Sequence, residues 1–137
     1  MKETICAAAG IAGATIASLF GGWDSGLTTL VIFMAVDYIT GLICAGVFHK
    51  SRKSDTGALE SNACFKGLIR KGVTLLIVLV ANRLDVAIGT SYIRDAVCIA
   101  FSANELISIV ENVGLMGVPV PEVITQAIDV LKKERRR

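Results

Sequence analysis

The run Leu27 to Phe48, LTTLVIFMAVDYITGLICAGVF, holds a single ionisable side chain, Asp37, near its middle. At about 1.5 Å of rise per residue, such a run is long enough as a helix to cross the roughly 30 Å hydrocarbon layer of a bilayer. It predicts a transmembrane helix over 27–48. A carboxylate near the centre of a span costs at least ~2.5 kcal/mol when it faces lipid, so Asp37 is expected to face other helices, water or a cation.

Outward toward the N-terminus, Trp23, Asp24, Ser25 and Gly26 make a tight turn, with an aromatic where an interfacial anchor belongs. Before it, residues 5–22 form a first apolar block of mostly small side chains. Gly10, Ala14, Ser18 and Gly22 recur every fourth residue, as do Ala9, Gly13, Ala17 and Gly21. Two such rows predict close helix packing in lipid. Lys2 ahead of an apolar core also fits a secretory signal peptide, but a retained packing helix is the expectation here. This block is weakly hydrophobic for a span and is the one expected to insert late or leave the bilayer.

Outward toward the C-terminus, a basic loop over 49–71 carries Lys50, Arg52, Lys53, Lys66, Arg70 and Lys71. From Ala63 on it mixes Phe65, Leu68 and Ile69 with the cations, which predicts a short amphipathic segment along the membrane surface. A third span is expected over 72–89, interrupted by Asn82, Arg83 and Asp85, and a fourth over 95–113, containing Asn104, Glu105, Ser108 and Glu111. Ser102, Glu105, Ser108 and Asn112 fall three or four apart and share one helical face. Pro119 and Pro121 end that helix, and Pro121 suits the start of another. Residues 114–137 are expected to form an amphipathic cytoplasmic tail with Val123, Ile124, Ala127, Ile128 and Leu131 on one face, ending in KKERRR.

With Lys2, the central loop and the tail inside, twelve of the fourteen Lys and Arg side chains are cytoplasmic; Arg94 is left in an outside loop and Arg83 in a span. Four crossings give that pattern, so both termini are expected to be cytoplasmic. Counted from the outer helix ends, Asp37 and Glu105 both lie about ten residues in, roughly 15 Å and near the midplane. Arg83 is the cation expected to serve them, together with Asp85. On that count the charges do not balance within one protomer, which points to protons, water or a neighbouring copy.

Composition agrees with a membrane protein. Hydrophobic residues make up 53% of the chain, mean hydropathy is +0.64 and the net charge is only +2. The cations sit in short segments rather than on a basic face, so no nucleic-acid partner is expected. Cys6, Cys44, Cys64 and Cys98 are widely spaced, which argues against a disulfide framework or a zinc site. With one histidine, no nucleophile beside a base and no phosphate-cradling loop, neither an enzyme nor a cofactor is expected.

The chain resembles the clostridial-type phage holins, a family that includes holin-like proteins associated with toxin secretion. The likeness rests on Trp23, DYITG at Asp37 to Gly41, FKG at Phe65 to Gly67, Lys71, Ala81, Asn82, Asp85, NELISIVENVG at Asn104 to Gly114 and GVPVPE at Gly117 to Glu122. These motifs run in the family's order over about residues 20–135, whereas Ser51 to Ala63 matches no part of the pattern. The resemblance implies a protein of the bacterial cytoplasmic membrane that assembles with itself among membrane lipids. Such an assembly breaches the bilayer so that an endolysin, or an exported toxin, passes without required direct contact.

The expected fold is thus an all-α integral membrane protein with four transmembrane helices in two hairpins plus the tail helix. Asp37, Asn82, Arg83, Asp85, Asn104, Glu105 and Ser108 are the expected intramembrane polar network or pore lining. Gly10, Ala14, Ser18 and Gly22 are the expected packing face. A small ion- or proton-coupled channel or transporter, and a membrane scaffold recruiting a cytoplasmic partner, are the competing functions.

Overall fold

The computed structural model describes residues 1–51, 53 and 56–136, apart from the side chains of Arg135 and Arg136. Arg52, Ser54 and Asp55 of the basic loop, and Arg137 of the basic tail, lie outside the described residues. The described chain is five helices in sequence: α1 (Lys2–Leu19), α2 (Ser25–Gly46), α3 (Ser61–Ile88), α4 (Ile93–Leu115) and α5 (Glu122–Arg136).

Each boundary has a local cause. α1 ends where Gly21 and Gly22 take φ values of +85° and +98°, a backbone region that glycine enters without steric cost. α2 starts at an N-cap: the Asp24 carboxylate accepts from the Leu27 N–H at 3.0 Å. α3 stops at Gly89, which takes the left-handed C-terminal conformation at φ +74°. Beyond α4, Gly117 at φ +82° and the two prolines turn the chain into α5.

α2 and α4 form the central pair, α3 packs along α4, and α1 meets the rest through its C-terminal end. The apolar core lies toward the end shared by the α1–α2 and α3–α4 turns. Leu27, Leu30 and Met34 of α2 meet Val78 of α3 and Cys98 of α4, and Phe20, Leu75, Val97 and Phe101 close around them.

Among the described helices, α2 and α4 are long and apolar enough to cross a membrane. α1 and α3 are not, by that measure. α1 is diluted by alanine, glycine and its leading Lys2–Glu3 pair, and the latter part of α3 contains Lys71, Arg83 and Asp85.

Three expectations need correction. First, α3 begins at Ser61 rather than 72, so the amphipathic segment assigned to the membrane surface is the first half of one 28-residue helix. Phe65, Leu68 and Ile69 are exposed on it, and Gly67 and Gly72 do not interrupt it. Second, the tail is not a detached element: α5 folds back along α4 and buries Ile128. Third, Gly10, Ala14 and Ser18 are exposed, and nothing lies within 4 Å of where a Cβ on Gly10 or Gly22 would sit. Among the described residues, Gly10 and Gly22 therefore have open space where a close helix contact would sit. The second row ends differently, since a Cβ on Gly21 would collide with the Asn82 side chain.

The packing predicts a contrast along α2. Leu30 is fully buried and Ile32 is 53% exposed. Leu30→Ala should destabilise the bundle by ~2–5 kcal/mol, while Ile32→Ala should change it by less than ~1 kcal/mol, measured by SDS titration of the purified chain in mixed micelles.

Candidate functional site

Asp37 lies twelve residues on from Ser25 in α2, and Glu105 twelve on from Ile93 in α4. Both helices start at the same end of the bundle, so the two acids come to the same level. Lys71 of the antiparallel α3 reaches that level from the other side. Its Nζ donates to Asp37 Oδ2 and to Glu105 Oε2, each at 2.7 Å. One ammonium thereby bridges two carboxylates on two different helices.

The remaining valences of Asp37 are also filled. Asn112 Nδ2 donates to Asp37 Oδ1 at 3.0 Å, to the Asp37 carbonyl at 3.2 Å and to Thr40 Oγ1 at 3.0 Å. The Ser108 side chain lies close to Asp37 as well. Lys53, from the loop between α2 and α3, places Nζ 3.3 Å from Asp37 Oδ1. Two carboxylates thus meet two ammonium groups inside one chain. Among the described residues, no buried side-chain nitrogen or oxygen lacks a partner. The expected charge imbalance within a protomer is therefore corrected: Lys71, assigned to a cytoplasmic loop, supplies the missing cation because α3 begins at Ser61, eleven residues earlier than expected.

This cluster borders a half-open cavity of about 200 Å³ between α2, the first half of α3 and the loop before it. Asp37, Lys53, Lys71 and Glu105 stand at its polar wall, with Tyr38, Cys64 and Gly67 on the rest.

A second cluster closes the opposite end of the bundle. Arg94, 6% exposed, donates from Nη1 to Asp24 Oδ2 at 2.7 Å and from Nη2 to the Gly22 carbonyl at 3.0 Å. Its Nε donates to the Phe20 carbonyl. These carbonyls follow the C-terminal end of α1, where a cation is favoured by the orphan acceptors and the helix dipole. Asn82 Nδ2 adds a bond to the Leu19 carbonyl at 2.9 Å. Asp85 accepts from Thr90 Oγ1 at 2.6 Å and from the N–H groups of Ile93 and Arg94 at 3.0 and 2.9 Å, capping α4 from α3. The Arg94 guanidinium, then the Leu27 N–H, hold the Asp24 carboxyl below the usual carboxylate range.

The seven polar residues singled out in the sequence thus separate. Asp37, Glu105 and Ser108 come together. Asn82 and Asp85 belong to the Arg94 end, and Arg83 and Asn104 are exposed. Arg83 does not serve the acids because it sits on a different face of α3 from Lys71, Val78 and Asp85. Sequence reasoning missed Lys71, Lys53 and Arg94 as partners. A signal for Lys71 existed: stepping back from Asp85 through Val78 and Leu75 at helical spacing arrives at it.

The profile of the bacteriophage holin family matches residues 14–133. The chain belongs to that family. Among its relatives, an uncharacterised protein of Listeria innocua is 41% identical over 117 residues, covering 85% of this chain and 78% of its own. An uncharacterised 14.9 kDa protein from the nagH 3′ region of Clostridium perfringens is 39% identical over 85% of this chain and 84% of its own. A protein of Bacillus phage phi105 named as a probable holin is 31% identical over 79% of this chain and 75% of its own. No solved structure matches the chain.

Two outcomes follow. Lys71→Met leaves both acids without their shared partner and should destabilise the bundle by ~3–5 kcal/mol. Arg83→Met, at an exposed position, should change stability by under ~0.5 kcal/mol. SDS titration compares the two, and Lys71→Met should recover part of its loss when combined with Asp37→Asn and Glu105→Gln. At the other end, the lowered Asp24 carboxyl contributes stability that is present above its ordinary value of 3.8 and lost as pH falls through its folded value. Asp24→Asn should remove that share of the acid sensitivity, read by unfolding titrations between pH 5 and about 2.

Proposed function

We infer that the chain is a holin of the bacterial cytoplasmic membrane that assembles with copies of itself into a pore or lesion, releasing an endolysin or an exported toxin. Family membership supports the holin role. The observation that carries the physical side is the Lys71 bridge between Asp37 and Glu105, three ionisable groups held in the interior of the helical bundle. Intramembrane ionisable groups mark functional sites by default.

In this reading all four of α1 to α4 cross the bilayer, with both termini cytoplasmic. α1 is apolar beyond Glu3, and two of the three ionisable groups in the latter part of α3, Lys71 and Asp85, are bonded internally. α5 then leaves the flank of α4, because Lys132, Lys133 and Glu134 at bilayer depth would each cost ~2.5 kcal/mol or more. Its apolar face settles on the inner surface beside anionic lipid.

A resting protomer has its charges matched internally, so unpaired acids do not drive assembly. Contact between copies is left to the surfaces the protomer does not use, chiefly the small-residue row of α1. There, close backbone approach stabilises association in lipid. Opening then exchanges the Lys71 bridge for water, so the polar faces of α2, α3 and α4 line the aqueous side.

The test is induced expression in a bacterial host with a folded reporter enzyme in the cytoplasm. The native chain should release the reporter at a set time, with cross-linked oligomers appearing together with leakage. Asp37→Leu and Glu105→Leu at equal expression should shift or abolish that time. Unaltered timing in both removes the cluster from the mechanism. Leakage of ions alone from a small, fixed oligomer would mark a channel or transporter instead, and no permeability at all would mark a scaffold.

A further inference from the structure

α3 is longer than a bilayer requires. Its 28 residues rise ~42 Å against a hydrocarbon layer of roughly 30 Å, so its first turns pass the inner boundary. Measured down the helix from Ile88, Arg70 lies ~27 Å away and Lys66 ~33 Å, one on each side of that boundary. Both side chains are exposed, and neither joins an ion pair among the described residues.

Helical phase puts these two cations at the end of an apolar stripe. Lys66, Arg70, Val73, Ile77, Val80 and Leu84 follow one another at steps of four and three, so they share one face. The four apolar members are 44–50% exposed, while Lys71, Val78 and Asp85 turn the other way into the bundle. This face therefore has an oil-facing length and a doubly cationic inner end.

Like charges one turn apart disfavour each other on a bare helix. An anion set between them removes that repulsion and accepts charge-assisted hydrogen bonds from both, bidentate from the guanidinium. A helix of a second copy laid along the stripe would cover its apolar length without bringing that anion, since the exposed body of α1 has no carboxylate after Glu3. A phospholipid with an anionic headgroup supplies both parts in one molecule.

We propose that the outer stripe of α3 is a site for an anionic phospholipid of the inner leaflet, with Lys66 and Arg70 holding the headgroup and Val73 and Ile77 against the acyl chains. The inference rests on α3 crossing the bilayer, as read above. Release of an enzyme or a toxin plays no part in it.

The probe is phosphatidylglycerol. Val73→Trp, in a Trp23→Phe background that leaves it the single indole, is reconstituted as the full chain in mixed bilayers of phosphatidylglycerol and phosphatidylcholine. One or the other lipid is dibrominated on its acyl chains, and quenching gives their relative occupancy at the stripe. Phosphatidylglycerol should be preferred several-fold. Lys66→Gln with Arg70→Gln should bring the preference close to one, and Lys66→Arg with Arg70→Lys should keep it. Lys132→Gln with Lys133→Gln, on α5, should leave it unchanged. Equal quenching by the two lipids overturns the site and leaves the span standing. A preference that survives the double Gln change overturns it too, as does an equal loss in the α5 variant, which would report diffuse surface charge. Quenching by neither lipid also overturns it: Val73→Cys chains that then link to each other through that residue would seat a second copy on the stripe, and chains that do not would take α3 out of the bilayer.

Discussion

One ammonium shared by two carboxylates is the constraint from which the rest of this bundle follows. Asp37, Glu105 and Lys71 come from three different helices, and each would be costly at bilayer depth without the others. Their pairing fixes the relative heights and rotations of α2, α3 and α4 at once. α3 has to run on past the apolar stretch for its lysine to arrive, and α4 has to turn its Ser102–Asn112 stripe inward. The apolar core around Leu30 and Val78 fills the space between these helices on one side of the bridge. Such a pairing is weak evidence for stability, because desolvation offsets much of the attraction, but breaking it from one side is expensive. Specific geometry is what it supplies.

The bundle is consequently polar in two places and apolar between them. At the end bearing the α1–α2 and α3–α4 turns, Arg94 gathers Asp24 and two carbonyls of the preceding turn, while Asp85 caps α4. At the level of Asp37 the partners are side chains, and one of the four charged groups comes from a connection rather than a helix. The first cluster is built largely on backbone groups and has little freedom to rearrange. The second depends on long side chains that can exchange partners.

Much of this was legible in the residues. The apolar runs gave α2 and α4 to within two residues at each end, Asp37 announced its need for partners, and the spacing of Ser102, Glu105, Ser108 and Asn112 marked the inward face of α4. The misplaced α3 boundary and the misassigned partner share one origin. A cation reads as a loop marker, so the pattern puts the helix boundary at Gly72, leaves Lys71 outside it and offers Arg83 as the nearest candidate. Hydropathy reports the average character of a segment, whereas partner choice depends on helical phase, which puts Lys71 in register with Val78 and Asp85 and turns Arg83 away. Arg94 was hidden for a different reason. Two of its acceptors are the Phe20 and Gly22 carbonyls, which no composition reveals, and its Asp24 partner lies seventy residues away in sequence.

α1 is fastened at one end only. Asn82 and Arg94 hold the carbonyls from Leu19 to Gly22, while the body of the helix has no buried residue. Its hydrogen bonds to the rest of the bundle are gathered at that joint. Eighteen residues give it a length of ~27 Å, so a tilt of ~20°, ordinary for a helix in lipid, carries the Lys2 end ~9 Å sideways. A tilt of that size would change the width of the protomer at the Lys2 end and leave it unchanged at the Gly22 joint.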